Sequence, residues 1–157
     1  MIRFIGDGGH AKVCMEMAAP FELVQTEWWF IAVGDNASRA KERQRLGTKM
    51  YAQLVHSSAS KSANSLFGFG SVMMEGAIVQ AGAQIGEHVI INAGAVVTHD
   101  CIIEDYAHIA PGAHLCGGVH VGEGALVGVG VGIEPGVKIP AWSIVKREKY
   151  VITLASG

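Results

Sequence analysis

From Phe67 to Ile139 a large aliphatic or aromatic residue opens every sixth position without an insertion, as in Val79, Ile85, Ile91, Val97, Ile103, Ile109, Leu115 and Val121. These positions head thirteen consecutive six-residue units ending at Ile144, and Val145 opens a fragment beyond them. The fifth position of each unit is small or short-branched: Ala77, Ala83, Val89, Ala95, Cys101, Ala107 and Ala113 are typical. A large residue that fills a flat face and a small one that fits a corner are what a parallel β-helix with three faces requires. If three units make one turn, residues 18 apart lie on neighbouring strands, about 4.8 Å apart. The rule predicts three ladders: Ile85–Ile103–Val121–Ile139, Ile91–Ile109–Val127–Val145 and Val79–Val97–Leu115–Ile133. An ordinary sandwich would instead need period-two strands and regularly spaced turn signals, which this stretch lacks.

The first third follows a different rule. Ile2 to Ile5 reads as a buried strand running into Gly6-Asp7-Gly8-Gly9-His10-Ala11, and Ala11 to Ala19 has helical composition. Phe30 to Val33 predicts a second strand, Gly34-Asp35-Asn36 a turn with a helix N-cap, Ser38 to Leu46 a helix and Met50 to Val55 a third strand. The order β-α-β-α-β predicts a small Rossmann-like α/β domain with a three-stranded parallel sheet over residues 1–56. Residues 57–66 are then a linker, and the β-helix occupies 67–157.

Composition narrows the chemistry. In 157 residues, half of them hydrophobic, there is ample material for a core, and the net charge of −2 gives no reason to expect nucleic acid as a partner. Cys14, Cys101 and Cys116 are odd in number and form no CxxC, which argues against a disulfide framework or a structural zinc site. The opening residues show no long apolar run or cleavage signal, and no segment approaches the length of a membrane span, so a cytoplasmic chain is expected.

Gly-x-Gly-x-x-Ala between a strand and a helix lets backbone N–H groups approach a phosphate at the positive helix end. A dinucleotide site would add an acid at the end of the next strand, whereas Glu22 and Glu27 precede that strand here. A tight turn without a ligand and a nucleotide-bearing substrate both stay open. The helix carrying Arg39, Lys41, Arg43 and Arg45 reads first as a solvated face.

Three segments together, Gly6-Asp7-Gly8-Gly9-His10-Ala11-Lys12, Phe30 to Asn36, and Thr98-His99-Asp100-Cys101 followed by His108, resemble one family. It is the left-handed β-helix acyltransferases that acetylate amino sugars on nucleotide carriers, with the related sialic acid O-acetyltransferases. The resemblance implies a left-handed coil, an exception to the usual right-handed crossover, acetyl-CoA as cosubstrate without a metal, and a homotrimer. This chain departs from the family between Pro20 and Trp29, too short a stretch for the strand whose paired aspartates help to hold the base in relatives; Trp28 or Trp29 is the candidate substitute.

Five histidines lie in the coil. By the 18-residue rule His99 stacks between Ala81 and Gly117, where tiny neighbours leave room for a ligand. His108 is nine residues on, half a turn round the prism, so a second copy is needed to bring such groups together. The resemblance assigns His99 as general base with Asp100 raising its basicity. It gives acetyl-CoA to His108, to the Gly117 N–H as oxyanion donor and to Val129. Lys146 and Arg147, past the last full coil, read either as phosphate partners for the coenzyme or as solvated tail charges. The resemblance gives the nucleotide-linked sugar to Gly8, Gly9, His10, Asp35 and Asn36. His88, His114 and His120 read as surface residues without a role. The expected reaction is acetyl transfer from acetyl-CoA to the amine of a nucleotide-linked deoxyamino sugar, at C4. The competing readings are O-acetylation of a sugar hydroxyl, a zinc-dependent lyase, which the 11, 9, 6 and 6-residue histidine spacings fit poorly, and a non-catalytic binding coil.

Overall fold

A computed structural model describes residues 1–19 and 27–146. The apolar run Ile2–Ile5 forms β1, and Gly6 ends it with φ 116°, a conformation that favours glycine. A Cβ at Gly6 would also lie 2.6 Å from the Ala32 carbonyl, so the neighbouring strand leaves no room for a side chain. The α1 helix spans Gly9–Ala18 and buries Ala11, Cys14 and Ala18, one stripe at helical spacing. Strand β2, Trp28–Ile31, pairs in parallel with β1, and α2 spans Asn36–Leu46. Asp35 caps α2 by accepting from the Ser38 N–H at 2.8 Å, and Gly47 ends the helix at φ 67°.

The expected third strand divides in two. Tyr51 makes a single parallel bridge to Trp29, so the N-terminal sheet has two strands and one bridge. Leu54–Val55, β3, pairs instead with Val72–Met73 and opens the coil. Ser60–Lys61, β4, pairs with Ile78–Val79, so residues 57–66 form coil turns rather than a linker. Lys61 hides this from the pattern, because a charged, exposed side chain occupies the place where later units put an aliphatic one.

The coil is a parallel solenoid of three faces with six, five and five strands. All three expected ladders form in register 18 residues apart, for example Val97↔Leu115, Ile103↔Val121 and Ile109↔Val127. The first and fifth positions of the units are buried from Met73 to Ile133; Val137, near the last rungs, is 39% exposed. Each fully buried Ile, Leu or Val contributes roughly 1.5–3 kcal/mol relative to exposure. The fourth position turns each corner with positive φ and is glycine except at His88, Asp100, Tyr106 and Trp142.

A second apolar cluster joins the two parts. Ala11, Cys14, Ala18 and Phe30 pack on Leu54, Val72 and Ile90, which face outward from the lower rungs of the six-stranded face. The N-terminal unit therefore covers that face and leaves the other two uncovered. Arg39 fixes the docking. Its guanidinium is fully buried and donates to the carbonyls of His88, Val33, Gly34 and Tyr106 and to Asn36 Oδ1, with Nε 2.8 Å from the His88 oxygen.

Candidate active site

At the corner between the two uncovered faces, His99 and Asp100 project from successive positions. The Gly118 N–H donates to the His99 carbonyl and the Asp100 N–H to the Ala81 carbonyl, which stacks Ala81, His99 and Gly117 on adjoining rungs as the 18-residue rule expects. The imidazole leans over Gly117: a Cβ there would lie 2.5 Å from His99 Cε1 and 2.6 Å from Nε2. Asp100 has φ 59° and turns its carboxylate over Gly82, another corner glycine that leaves the space empty. Its Oδ2 is 2.8 Å from His99 Nδ1. With Nδ1–H donated to a carboxylate, Nε2 keeps its lone pair. The His99 side chain is 65% exposed and borders a cleft of about 450 Å³ with Ser60, Lys61, Ser62, Gln80 and Ala81. Among the described residues the Gly117 N–H has no protein acceptor, so one imidazole nitrogen and one free backbone donor sit side by side.

A second group of expected residues gathers where the N-terminal unit meets the coil. Gly8 caps α1 without a side-chain bond, and the first turn of that helix carries no acid. A Cβ at Gly8 or Gly9 would meet nothing within 4 Å, so the chain's own packing gives no reason for glycine there. Burial, with the Arg39 charge, lowers the His10 pKa to about 4. His108 is likewise lowered to about 4, by burial first and then by Arg39 and His10, despite a hydrogen bond to the Gly34 backbone. Both imidazoles are neutral near pH 7. His108 Nε2 also meets Asn92 Nδ2 at 3.0 Å.

Gly34, Asp35, Asn36 and His108 share a cavity of about 190 Å³ with Leu126 and Trp142. Asp35 keeps its carboxyl below the ordinary value through the Ser38 hydrogen bonds. The Asn36 side chain is committed to the fold, donating to the Gly124 carbonyl at 3.0 Å and accepting from Arg39. His99 and His108 line separate clefts, so a single chain does not bring them together. Val129 is 67% exposed, Lys146 is exposed at the last described position, and Arg147 lies outside the described residues.

The bacterial transferase hexapeptide family, described as six repeats, matches residues 82–117. PerB from Caulobacter crescentus, solved in complex with CoA and GDP-perosamine, is 33% identical over 93% of this chain and 88% of its own, with a TM-score of 0.81. The acetyltransferase domain of PglB from Neisseria gonorrhoeae, in complex with acetyl coenzyme A, is 30% identical over 91% of this chain and 86% of its own, also at 0.81. The chain belongs to the hexapeptide-repeat sugar N-acetyltransferase family. Its solenoid is of the left-handed β-helix type. WeeI from Acinetobacter baumannii, 19% identical over 92% of this chain and 95% of its own at a TM-score of 0.67, shares the fold.

Three features of this transferase escape the sequence. His88 is buried rather than superficial, held between Tyr51 at 4.6 Å and Tyr106 at 5.6 Å, with both ring nitrogens unpartnered. Arg39 belongs to the interior rather than to a solvated face. Asn92, bonded to His108, is visible only once the 16-residue separation is folded across the face. Neither tryptophan of β2 offers a free ring: Trp28 packs in the seam, and Trp29 lies between Arg3 at 5.6 Å and Lys49 at 5.3 Å. The only signal for Arg39 was its place four residues after Asp35, in the predicted capping turn, which is too weak to tell a buried strut from a surface charge.

Proposed function

We propose that the enzyme transfers acetyl from acetyl-CoA to the amine of a nucleotide-linked deoxyamino sugar, at C4, with His99 as general base. The observation that carries this reading is the His99 imidazole held by Asp100 and seated against the bare backbone of Gly117. The sugar amine attacks the thioester carbonyl while Nε2 of His99 takes an amine proton. The oxyanion that forms is held by the Gly117 N–H. Collapse of the tetrahedral intermediate breaks the C–S bond, and the imidazolium returns the proton to the departing thiolate. The relatives solved with CoA, with GDP-perosamine and with acetyl coenzyme A support both substrate classes.

Transfer is direct. Cys101 is buried, its thiol pKa raised by burial and its sulfur 3.2 Å from the Cys116 carbonyl, so it is not the nucleophile. The nucleotide's phosphates lie at the open positive end of α1, beside Gly8, Gly9 and His10. Because His99 and His108 occupy different clefts of one chain, the working unit is a homotrimer in which a neighbouring copy completes each site. CoA follows the coil past Val129 towards Lys146. The compartment proposed is the cytoplasm. Among the described residues no helix is long and apolar enough to cross a membrane.

Thiol release from acetyl-CoA, assayed against a panel of UDP-, GDP- and dTDP-linked amino sugars, tests the reading. One nucleotide amino sugar should be acetylated on nitrogen by a trimer in sedimentation. Turnover only with sugar hydroxyls, an acetylated enzyme intermediate in mass spectrometry, or full activity in a monomer would each overturn part of it.

A further inference from the structure

We propose that Trp142 is the stacking platform for the nucleobase of the acceptor, a reading that rests on the acceptor class proposed above. Four non-glycine residues occupy left-handed corner positions: His88, Asp100, Tyr106 and Trp142, the last at φ 58°. Such backbone costs free energy for an L side chain and persists where something else compensates. Three have a visible reason: His88 and Tyr106 stack inside the seam, and Asp100 orients His99. Trp142 has none within the described residues and stays 48% exposed.

Its place in the fold supplies the reason. One rung below is Gly124, where any Cβ would overlap the six-membered part of the indole, so the ring lies on bare backbone and keeps its other face open. That ring walls the cavity formed by Gly34, Asp35, Asn36 and His108, at the carboxyl end of β2, the end where open parallel sheets take their ligands. Asp35 accepts from the Ser38 N–H and also meets the Ser38 side chain. A carboxylate has about four acceptor positions, so lone pairs remain on the cavity side that suit a ribose hydroxyl. A nucleoside therefore finds an acceptor for its sugar and an aromatic face for its base in one cavity. Among the described residues no other tryptophan, tyrosine or phenylalanine lines this cavity; Trp28 is packed, Trp29 is covered by two cations, and Tyr51 and Tyr106 enclose His88. Trp142 thus takes the part that the resemblance gives, in relatives, to paired aspartates on a strand for which Pro20 to Trp29 is too short.

The test uses Trp142→Gly, which removes the ring while suiting the left-handed backbone, and Trp142→Phe, which keeps a stacking face. UDP, GDP, dTDP and CoA are titrated calorimetrically into full-length wild type and both variants, with melting temperatures recorded. For the nucleoside diphosphate that wild type binds best, Trp142→Gly should weaken affinity by roughly ten- to a hundredfold, the contribution of one base–aromatic stack. Trp142→Phe should stay within a few-fold, CoA affinity should not change, and the melting temperature should hold or rise. Unchanged nucleoside diphosphate binding by Trp142→Gly overturns the proposal. So does a loss that falls on CoA, which would assign the ring to adenine, or a lowered melting temperature with intact binding, which would make the role structural. If wild type acetylates a nucleotide sugar while Trp142→Gly binds its nucleotide normally, only this inference fails. If wild type binds none of the nucleotides and acetylates none of the sugars, the acceptor reading fails with it.

Discussion

Two corners of the same prism each carry a histidine, and they have opposite chemistry. His88 turns one corner at φ 54°, and Asp100, next to His99, turns the other at φ 59°. Yet His88 is sealed between two tyrosines with its pKa lowered to about 4, whereas His99 stands in a cleft with a carboxylate partner. The repeat sets where a side chain leaves the backbone. What packs over the corner decides what that side chain can do. Arg39 and Tyr51 lie over the first corner and the N-terminal unit leaves the second bare, so only the uncovered corner keeps its imidazole open to a ligand.

The sharpest way to break this contrast is to exchange the histidines' expected costs. His99→Ala should lower kcat by roughly 10²–10⁴, the range for a lost acid–base group, while His88→Phe should leave kcat within a few-fold. Thiol release at saturating substrates measures both, and an inactive His88→Phe that is well folded would sink the distinction. Next in size is Arg39→Met, which strips donors from the His88, Val33, Gly34 and Tyr106 carbonyls. At about 1–3 kcal/mol for each buried acceptor left unpaired, a loss of about 3 kcal/mol or more is expected in denaturant titration.

Acid should act on the covered corner in the same direction. His10, His88 and His108 have folded pKa values lowered from 6.5 to about 4, so the unfolded chain binds more protons between those limits. Stability is then complete above pH 6.5 and falls as pH drops towards 4, by up to about 1.4 kcal/mol per pH unit for each group. Unfolding curves for wild type and His88→Phe should diverge across that window, the variant being flatter; parallel curves would remove His88 from the account. The smallest effect belongs to Gly117→Ala. The added methyl would collide with the His99 ring, and kcat should drop by roughly tenfold or more, about 1.4 kcal/mol, with little change in melting temperature. Unchanged kcat would show that the ring need not rest on that glycine.

Much of this was legible in the amino-acid string, and the reasons are local. Inward and outward positions follow from a period of six, so Ile103 over Ile85 and His99 beside Gly117 could be read by counting. The beginning of the coil could not, because Lys61 breaks the apolar rule while the backbone ladder continues through it. Contacts between the two parts were also out of reach. Nothing near Arg39 in sequence marks the carbonyl of Tyr106, 67 residues away, as its acceptor, and nothing near His88 marks Tyr51 as its cover. Periodicity reports on neighbours in a repeat; it is silent on what docks from outside.

The solenoid also behaves as a ruler. Each rung adds about 4.8 Å, and the N-terminal unit is clamped to named graduations, Arg39 at the levels of His88 and Tyr106 and Asn36 at that of Gly124. His99 lies between the levels of His88 and Tyr106, so an extra turn inserted there would pull apart the two carbonyls that Arg39 holds together. The same guanidinium that docks the N-terminal unit therefore also locks the height of the imidazole relative to it.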